Sequence, residues 1–141
     1  MKIGVVCGSW DLMHHGHLSL IRRARKKCDW LIVGVNSDAR IKSSKNKSPI
    51  WREDHRLEIV RELRSVDEAY IIKNGLELIR MLIARGINVS EYYRGDDGID
   101  SPEQKKENVI LEQIGVRPVY FSHTPEISST ILQDRIKTGG K

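Results

Sequence analysis

Short apolar runs alternate with longer amphipathic segments along this chain. The runs are six or seven residues long, rich in valine, isoleucine and aromatic residues, and bounded by glycine or polar residues, as is typical of buried strands. One of them contains Pro118, which cannot donate a backbone hydrogen bond and therefore predicts a strand at the edge of a sheet. The predicted strands are 2–7, 30–35, 68–73, 89–95 and 116–121.

The segments between these runs show helical spacing. Leu57, Val60 and Leu63 recur at three-residue intervals and indicate one buried helix face. Ser101 and Pro102 suit the N-cap and the first position of a later helix. The predicted helical segments are 17–27, 53–65, 76–86, 101–115 and 125–137, whereas 42–48 is predicted to be a polar, lysine-rich loop.

Strands that alternate with helices predict an α/β fold: a Rossmann-like, five-stranded, mostly parallel sheet with helices on both faces. No repeat or low-complexity segment interrupts the pattern, so we expect one domain over residues 1–141. In such sheets ligands bind beyond the carboxyl ends of the strands. The exit of the first strand is therefore the place to look for a site.

Composition narrows the class of protein. Charged residues make up 30% and apolar residues 39%, which is ordinary for a globular domain. No apolar stretch approaches the roughly 20 residues that span a membrane, and no signal peptide opens the sequence. The two cysteines, Cys7 and Cys28, have neither disulfide-framework nor zinc-site spacing, so we expect a cytoplasmic protein.

The net charge is +5, which fits either a nucleic-acid surface or small phosphorylated ligands. The basic residues are densest at 22–27 and 42–47. No RNA-binding aromatic motif, zinc finger or helix-turn-helix spacing accompanies them, and basic runs are usually solvated faces. We therefore do not expect nucleic acid as a partner.

Three of the five histidines fall within four positions, at His14, His15 and His17. They follow the first predicted strand, and Gly16 stands where the next helix begins. Free backbone N–H groups and the positive end of the helix dipole meet there, and glycine allows close approach of a ligand. The stretch favours an anion site for the phosphates of a nucleotide, formed by His14 and His17.

Two other interpretations of these histidines are weaker. A zinc site on a helix usually has histidines four residues apart and a third ligand, and no acidic or cysteine partner has that spacing here, so we expect no side-chain metal cluster. Histidines without a role are common in loops, but these two lie between a strand end and a helix start. His15 is expected to point to solvent.

At this point the sequence resembles a known family. "GSWDLMHHGHLSLI" resembles the G-[ST]-F-D-x-x-H-x-G-H signature of the cytidylyltransferase-like nucleotidyltransferases. Three further segments resemble the glycerol-3-phosphate cytidylyltransferases in order along the chain: "RSVDEA" their "RYVDEV", "RGDDG" their "GDDW", and "HTPEISST" their "RTPEIST".

The resemblance implies an enzyme that transfers a nucleoside monophosphate from CTP or ATP to a small phosphate monoester and releases pyrophosphate, with Mg²⁺ as cofactor. His14 and His17 would contact the α-phosphate, Lys47 the triphosphate, and Lys45 the phosphate of the acceptor. No covalent intermediate and a homodimer are expected. The alternative for the lysines is a disordered basic loop.

The resemblance also implies a set of nucleotide-binding residues. Asp11 is expected to fix its loop by bonding backbone amides, and Asp96 or Asp97 to help orient Mg²⁺. The hydroxyls at the start of the last helix would form a second phosphate cradle, although alone they indicate only an N-cap. The whole set is Gly8, Ser9, Trp10, Asp11, Gly16, Arg56, Arg64, Gly95, Asp96, Asp97, His123, Thr124, Ile127, Ser128, Ser129 and Thr130.

Arg56 and Arg64 lie eight residues apart on the predicted 53–65 helix and so near one face. We expect one or both to reach phosphates or a subunit interface. The alternative is a surface salt bridge with Glu58 or Glu62.

The sequence departs from the cytidylyltransferase pattern at three positions. Trp10 replaces a phenylalanine, where it would lie against base or sugar, His123 replaces an arginine, and Gly98 replaces a tryptophan. In addition, "VNSDA" at 35–39 resembles the heptose-phosphate adenylyltransferases. CTP and glycerol 3-phosphate are the first expectation; an adenylyltransferase acting on a sugar phosphate or FMN is the alternative, and a non-catalytic nucleotide sensor is the alternative from another class.

Overall fold

Five parallel strands form one sheet in the computed structural model, which describes residues 1–122 and 129–139. The strands are β1 (Ile3–Gly8), β2 (Trp30–Asn36), β3 (Glu68–Ile72), β4 (Val89–Gly95) and β5 (Arg117–Phe121). Their order across the sheet is β3-β2-β1-β4-β5. The predicted strands are confirmed within one residue at each boundary, and Pro118 lies on an edge strand as expected.

Helices connect the strands and cover both faces of the sheet. They are α1 (His15–Lys27), α2 (Asp38–Lys45), α3 (Glu53–Arg61), α4 (Gly75–Ala84), α5 (Pro102–Gln113) and α6 (Ser129–Lys137), with a 3₁₀ turn at Asp96–Gly98. The Ser101 hydroxyl caps α5 by accepting the N–H of Gln104 at 3.2 Å, and Pro102 is the first helical residue, as predicted. Nothing in the described ranges is both long and apolar enough to act as a membrane-spanning helix.

The predicted loop at 42–48 and the predicted helix at 53–65 differ from the structure in extent. The lysine-rich segment is not wholly a loop, because α2 occupies Asp38–Lys45 and ends at Asn46, which has a left-handed φ of 54°. Its one buried residue, Ile41, is too little to give a periodic pattern. Helix α3 ends at Arg61 rather than at residue 65, since the backbone then tightens into turns such as the Leu63 N–H to Val60 carbonyl bond of 3.2 Å.

The core consists of two layers, one on each face of the sheet. Successive residues of a strand point to opposite faces, so Val6 packs with Ile21 of α1 and Val60 of α3, whereas Val5 packs with Ile79 of α4 and Leu111 of α5. All six side chains are inaccessible to solvent. These two layers fix the positions of the helix termini at the carboxyl edge of the sheet.

Strand β1 lies at the switch point of the sheet. It pairs with β2 on one side and β4 on the other, so the chain proceeds to one edge through β2 and β3 and to the other through β4 and β5. Ligands of open α/β sheets bind at such a point, outside the carboxyl ends of the strands. The histidine stretch follows β1 directly, and Asp96 and Asp97 follow β4.

Candidate active site

His14 and His17 lie together at the start of α1. His14 is the N-cap residue and His17 occupies the first turn. Their rings stack with centroids 3.8 Å apart and an angle of 23° between planes. His15 is exposed, as expected for a residue that points to solvent. The sequence therefore placed the two histidines correctly with respect to each other and to the helix start.

Backbone hydrogen bonds fix the tautomer of both rings. The N–H of Gly16 donates to Nδ1 of His14 at 3.0 Å, and the N–H of His14 donates to Nδ1 of His17 at 3.3 Å. A ring nitrogen that accepts a hydrogen bond carries no proton, so in the neutral form the proton of each ring is on Nε2. The arrangement provides two Nε2–H donors side by side at the helix N-terminus.

The environment keeps both rings neutral near pH 7. Burial lowers the pKa of His17 to about 4, with additional lowering from the nearby charges of His14 and Lys45 and opposition from Asp11. The pKa of His14 is also lowered, chiefly by burial and then by His15. The pair can thus donate hydrogen bonds to an anion without first losing the bonds that orient it.

Trp10 supports this pair from the core. Its side chain is 3% exposed, its Nε1–H donates to the carbonyl of Gly34 at 2.9 Å, and its ring meets that of His17 edge to face at 5.6 Å. A Cβ on Gly8 would lie 3.0 Å from this indole, so the glycine leaves room for it. The expectation that Trp10 lies against base or sugar was wrong, because the indole is buried within the protein.

Asp11 joins the histidine loop to the segment after α2. Its carboxylate accepts the backbone N–H of Ile50 at 2.7 Å and that of Trp51 at 2.9 Å. The prediction that Asp11 bonds backbone amides therefore holds, although the amides belong to a segment forty residues away along the chain. The two loops are held at a fixed distance from each other.

Arg56 strengthens the same junction. Its fully buried guanidinium donates to the carbonyls of Ser9 and Asn36, both at 2.7 Å, and to the carbonyl of Trp51 at 2.9 Å. It also pairs with Asp38 at 2.6 Å. Neither the expected phosphate contact nor the surface salt bridge describes this residue. Arg56 instead holds three separate segments of the chain together from within.

Arg64 is separated from Arg56. It is exposed and lies in the turn beyond α3, since that helix ends at Arg61. The expectation that the two arginines share a helix face was wrong for this reason. A phosphate contact of Arg64 stays a prediction.

The two lysines lie at the end of α2 and just beyond it. Lys45 is the last residue of α2, and Lys47 follows the left-handed Asn46. Both side chains are exposed, and the charge of Lys45 is close enough to His17 to lower its pKa. The end of α2 thus places the positive charge of Lys45 near the histidine pair.

The end of β4 offers open space and carboxylates. A Cβ on Gly95 would meet no atom within 4 Å, and the 3₁₀ turn that follows contains the half-buried Asp96 and the exposed Asp97. Within residues 1–122 and 129–139 no three acidic, histidine or cysteine side chains are grouped as a metal site would need.

Part of the predicted phosphate cradle lies outside the described residues. This applies to His123, Thr124, Ile127 and Ser128. Ser129 is the first residue of α6, and Thr130 is exposed in its first turn. The role of this segment stays a prediction.

A pocket on the α4–α5 side of the sheet was missed by the sequence reasoning. Its volume is about 530 Å³, and its walls come from the ends of β1, β2 and β4 together with α2, α4 and α5. Arg94 lies in its wall, 9% exposed, directly after the two tyrosines at the centre of its strand. The position of this arginine within a predicted strand was the one sign of the pocket in the sequence.

Comparison with known proteins agrees with this geometry. Two proteins named "Bifunctional protein HldE" match almost the whole chain: that of Rhodopseudomonas palustris strain BisB18 is 35% identical over 140 residues, and that of Desulfatibacillum aliphaticivorans is 30% identical over 141 residues. These alignments cover 99% and 98% of this chain but 28% and 27% of the relatives, so the chain spans less than a third of their length.

Solved structures share the fold. A lipopolysaccharide core biosynthesis protein from Thermoplasma volcanium superposes with a TM-score of 0.69 at 22% identity, covering 88% of this chain and 97% of that one. Thermotoga maritima TmcAL gives a TM-score of 0.67 at 15% identity, covering 99% and 51%. The model of the family described as "Cytidylyltransferase-like" matches residues 5–135. The chain therefore belongs to the cytidylyltransferase-like family.

Proposed function

We propose that this chain is an adenylyltransferase that transfers AMP from ATP to a sugar phosphate and releases pyrophosphate. The observation that carries the proposal is the His14–His17 pair, two neutral Nε2–H donors fixed at a helix N-terminus at the switch point of the sheet. Such a pair suits the α-phosphate of a nucleotide, where negative charge increases in the transition state. Its intact geometry argues against a non-catalytic sensor.

In the proposed reaction a phosphate oxygen of the acceptor attacks the α-phosphorus of ATP. The bond from this phosphorus to the oxygen bridging to the β-phosphorus breaks, and its electron pair leaves with pyrophosphate. The two histidines stabilise the additional charge on the α-phosphate oxygens by hydrogen bonds. Because the rings are held in place before substrate binds, little reorganisation is required.

Neither thiol is suited to act as the nucleophile of a covalent enzyme intermediate. Burial raises the pKa of Cys7 to about 12, and burial also raises the pKa of Cys28. Both are therefore protonated near pH 7 and poor nucleophiles. The acceptor itself is the attacking group in this proposal.

Lys45 and Lys47 supply positive charge where two polyanions must meet. Each substrate brings about two or more negative charges, so their approach is unfavourable without cations nearby. The tether from Asp11 to the backbone of Ile50 and Trp51 holds the loop that carries Lys47. We assign Lys47 to the triphosphate and Lys45, beside His17, to the acceptor phosphate.

Asp96 and Asp97 are the side chains that fit a role with Mg²⁺. They are adjacent carboxylates at the carboxyl end of β4, next to the open space at Gly95, and carboxylate oxygens are the ligands magnesium prefers. When bound, the ion neutralises part of the charge of the triphosphate.

Two observations favour ATP and a sugar phosphate over the first expectation, CTP and glycerol 3-phosphate. HldE proteins are among the relatives that match along almost the whole chain, and residues 35–39 resemble the heptose-phosphate adenylyltransferases. Gly98 and His123 also depart from the cytidylyltransferase pattern.

Pyrophosphate release tests the proposal. The chain is incubated with ATP or CTP, each combined with glycerol 3-phosphate, FMN or a panel of sugar 1-phosphates and 7-phosphates. Turnover is expected with ATP and a sugar phosphate. Efficient turnover of CTP with glycerol 3-phosphate, and none of ATP with any sugar phosphate, would contradict it.

A further inference from the structure

The α4–α5 pocket opens next to the histidine loop, although it lies on the other face of the sheet. Asn36 lies in its wall. The side-chain amide of Asn36 donates to the hydroxyl of Ser9 at 3.5 Å, and the backbone carbonyl of Asn36 accepts a hydrogen bond from Arg56. Ser44, also in its wall, directly precedes Lys45, whose charge acts on His17. A molecule in the pocket would thus have one end near Ser9 of the histidine loop and near the carboxyl end of α2.

The lining of the pocket is mostly polar. Serine, asparagine, glutamine, glutamate and arginine side chains form most of the wall, and Cys7 and Tyr92 provide apolar surface. A volume of about 530 Å³ lies within the range of small-molecule sites, about 300–1,000 Å³. Mixed donors and acceptors of this kind suit a ligand with many hydroxyl groups better than an apolar or aromatic one.

The polar groups on the α5 side are held in fixed orientations. Arg94 forms an ion pair with Glu107, donates to Asn108 at 3.1 Å and stacks over the ring of Tyr92 at 4.6 Å. Its charge is thereby compensated within the protein, so Arg94 is not the cation for a phosphate. Helix α2, on the other side of the pocket, carries the exposed cations Arg40 and Lys45.

Gln104 is oriented by two contacts. Its Oε1 accepts a hydrogen bond from the hydroxyl of Tyr120 at 3.0 Å. That hydroxyl accepts a hydrogen bond from the side-chain amide of Asn108, also at 3.0 Å. Its amide nitrogen packs against Gly98, where a Cβ would come within 2.3 Å of Nε2. The tryptophan that the glycerol-3-phosphate cytidylyltransferases carry at the position of Gly98 would displace this amide. Gly98 therefore permits the position of Gln104 in the pocket wall.

We infer that the α4–α5 pocket is the acceptor site and that Gln104, with room provided by Gly98, recognises hydroxyl groups of a sugar phosphate. This inference rests on the proposed function. It places the phosphate of the acceptor toward Lys45 and the sugar hydroxyls toward α5. Gln104 is then a specificity residue that touches substrate, and Gly98 is a positioning residue that acts through it.

Calorimetric binding of glucose 1-phosphate, mannose 1-phosphate, sedoheptulose 7-phosphate, glycerol 3-phosphate and, separately, ATP tests the inference. The variants are Gln104→Ala, Gly98→Trp and Ser44→Trp, with Gln113→Ala at the exposed end of α5 as the matched control. Gln104→Ala should weaken the best sugar phosphate about tenfold, equivalent to one hydrogen bond of about 1.4 kcal/mol, and glycerol 3-phosphate less. Ser44→Trp should abolish acceptor binding by filling the pocket.

The ATP dissociation constant should stay within about twofold in all four variants, which also shows that they fold. The inference is overturned if Gln104→Ala and Ser44→Trp both bind the sugar phosphate as tightly as the wild type, or if Gln104→Ala weakens glycerol 3-phosphate and the sugar phosphate equally. The proposed function fails separately, when wild type releases no pyrophosphate from ATP with any sugar phosphate.

Discussion

His17 accepts the backbone N–H of His14 at its Nδ1, over 3.3 Å, while His14 accepts the N–H of Gly16 over 3.0 Å. One backbone turn thus orients both rings and holds their protons on Nε2. The same bonds cap the helix, so the orientation of the rings and the start of the helix depend on the same atoms. Substitutions that test the histidines must therefore distinguish an effect on ring orientation from an effect on the stability of the helix.

Loss of either Nε2–H donor should reduce turnover without unfolding the chain. We expect His14→Asn and His17→Ala to lower kcat at least about 100-fold, because a preorganised hydrogen bond to the transition state is removed. Asparagine is a favourable N-cap, so His14→Asn should retain most of the stability that His14→Ala would lose, about 1 kcal/mol. Steady-state kinetics and thermal unfolding measure the two effects, with the exposed His15→Ala as control. Near-wild-type kcat in both variants would place the active site elsewhere.

Stability should fall as the pH is lowered through the range in which His17 differs between the two states. The pKa of His17 is about 4 in the folded chain and about 6.5 when unfolded. Between these values the unfolded chain binds more protons, so the free energy of unfolding decreases as the pH falls from about 6.5 to about 4. The contribution is on the order of 1–3 kcal/mol. Urea titrations at several pH values measure it. His17→Gln should show a shallower slope, and parallel slopes would mean that His17 is not held neutral by the fold.

Arg56 should be required for stability and for loop position. Arg56→Lys keeps the charge, but one ammonium group cannot reach Ser9, Asn36, Trp51 and Asp38 together. We expect a loss of about 2–3 kcal/mol in the free energy of unfolding, below the value for a fully buried pair because Asp38 is 39% exposed. A lower kcat should accompany it, since the loop of Ser9 leads to His14. The exposed Arg52→Lys should change stability by less than about 0.5 kcal/mol. Equal effects of the two variants would refute the role assigned to Arg56.

Apolar periodicity explains what the sequence could predict. The strands and helix α1 have clear patterns because each buries a regular set of side chains, and the histidines are placed by their position between a strand end and a helix start. Helix α2 buries only Ile41, so it has no pattern to detect. Its existence depends on the Ser37 cap and on contacts from distant residues.

Side-chain roles that depend on tertiary contacts could not be predicted. Trp10 and Arg56 belong to motifs that suggest ligand contact, yet both point inward because acceptors from other segments, such as the carbonyls of Gly34 and Ser9, meet them there. The α4–α5 pocket is formed by elements far apart in sequence. Spacing along the chain contains no information about such a cavity.

The two lysines should act on different substrates. Lys47→Ala is expected to raise the KM for ATP and Lys45→Ala that for the acceptor, each about 10-fold at low salt and less at high salt because exposed charges are screened. Lys45→Ala has a second, structural consequence. The positive charge of Lys45 lowers the pKa of His17, so its removal should raise that pKa, whereas Lys47→Ala should have no such effect if only Lys45 lies close to the ring. NMR titration of the His17 ring in both variants measures this without substrate. Equal, small changes of both KM values in both variants would show that the lysines act only by general electrostatic steering. An unchanged pKa of His17 in Lys45→Ala would show that the end of α2 does not reach the histidine pair in solution.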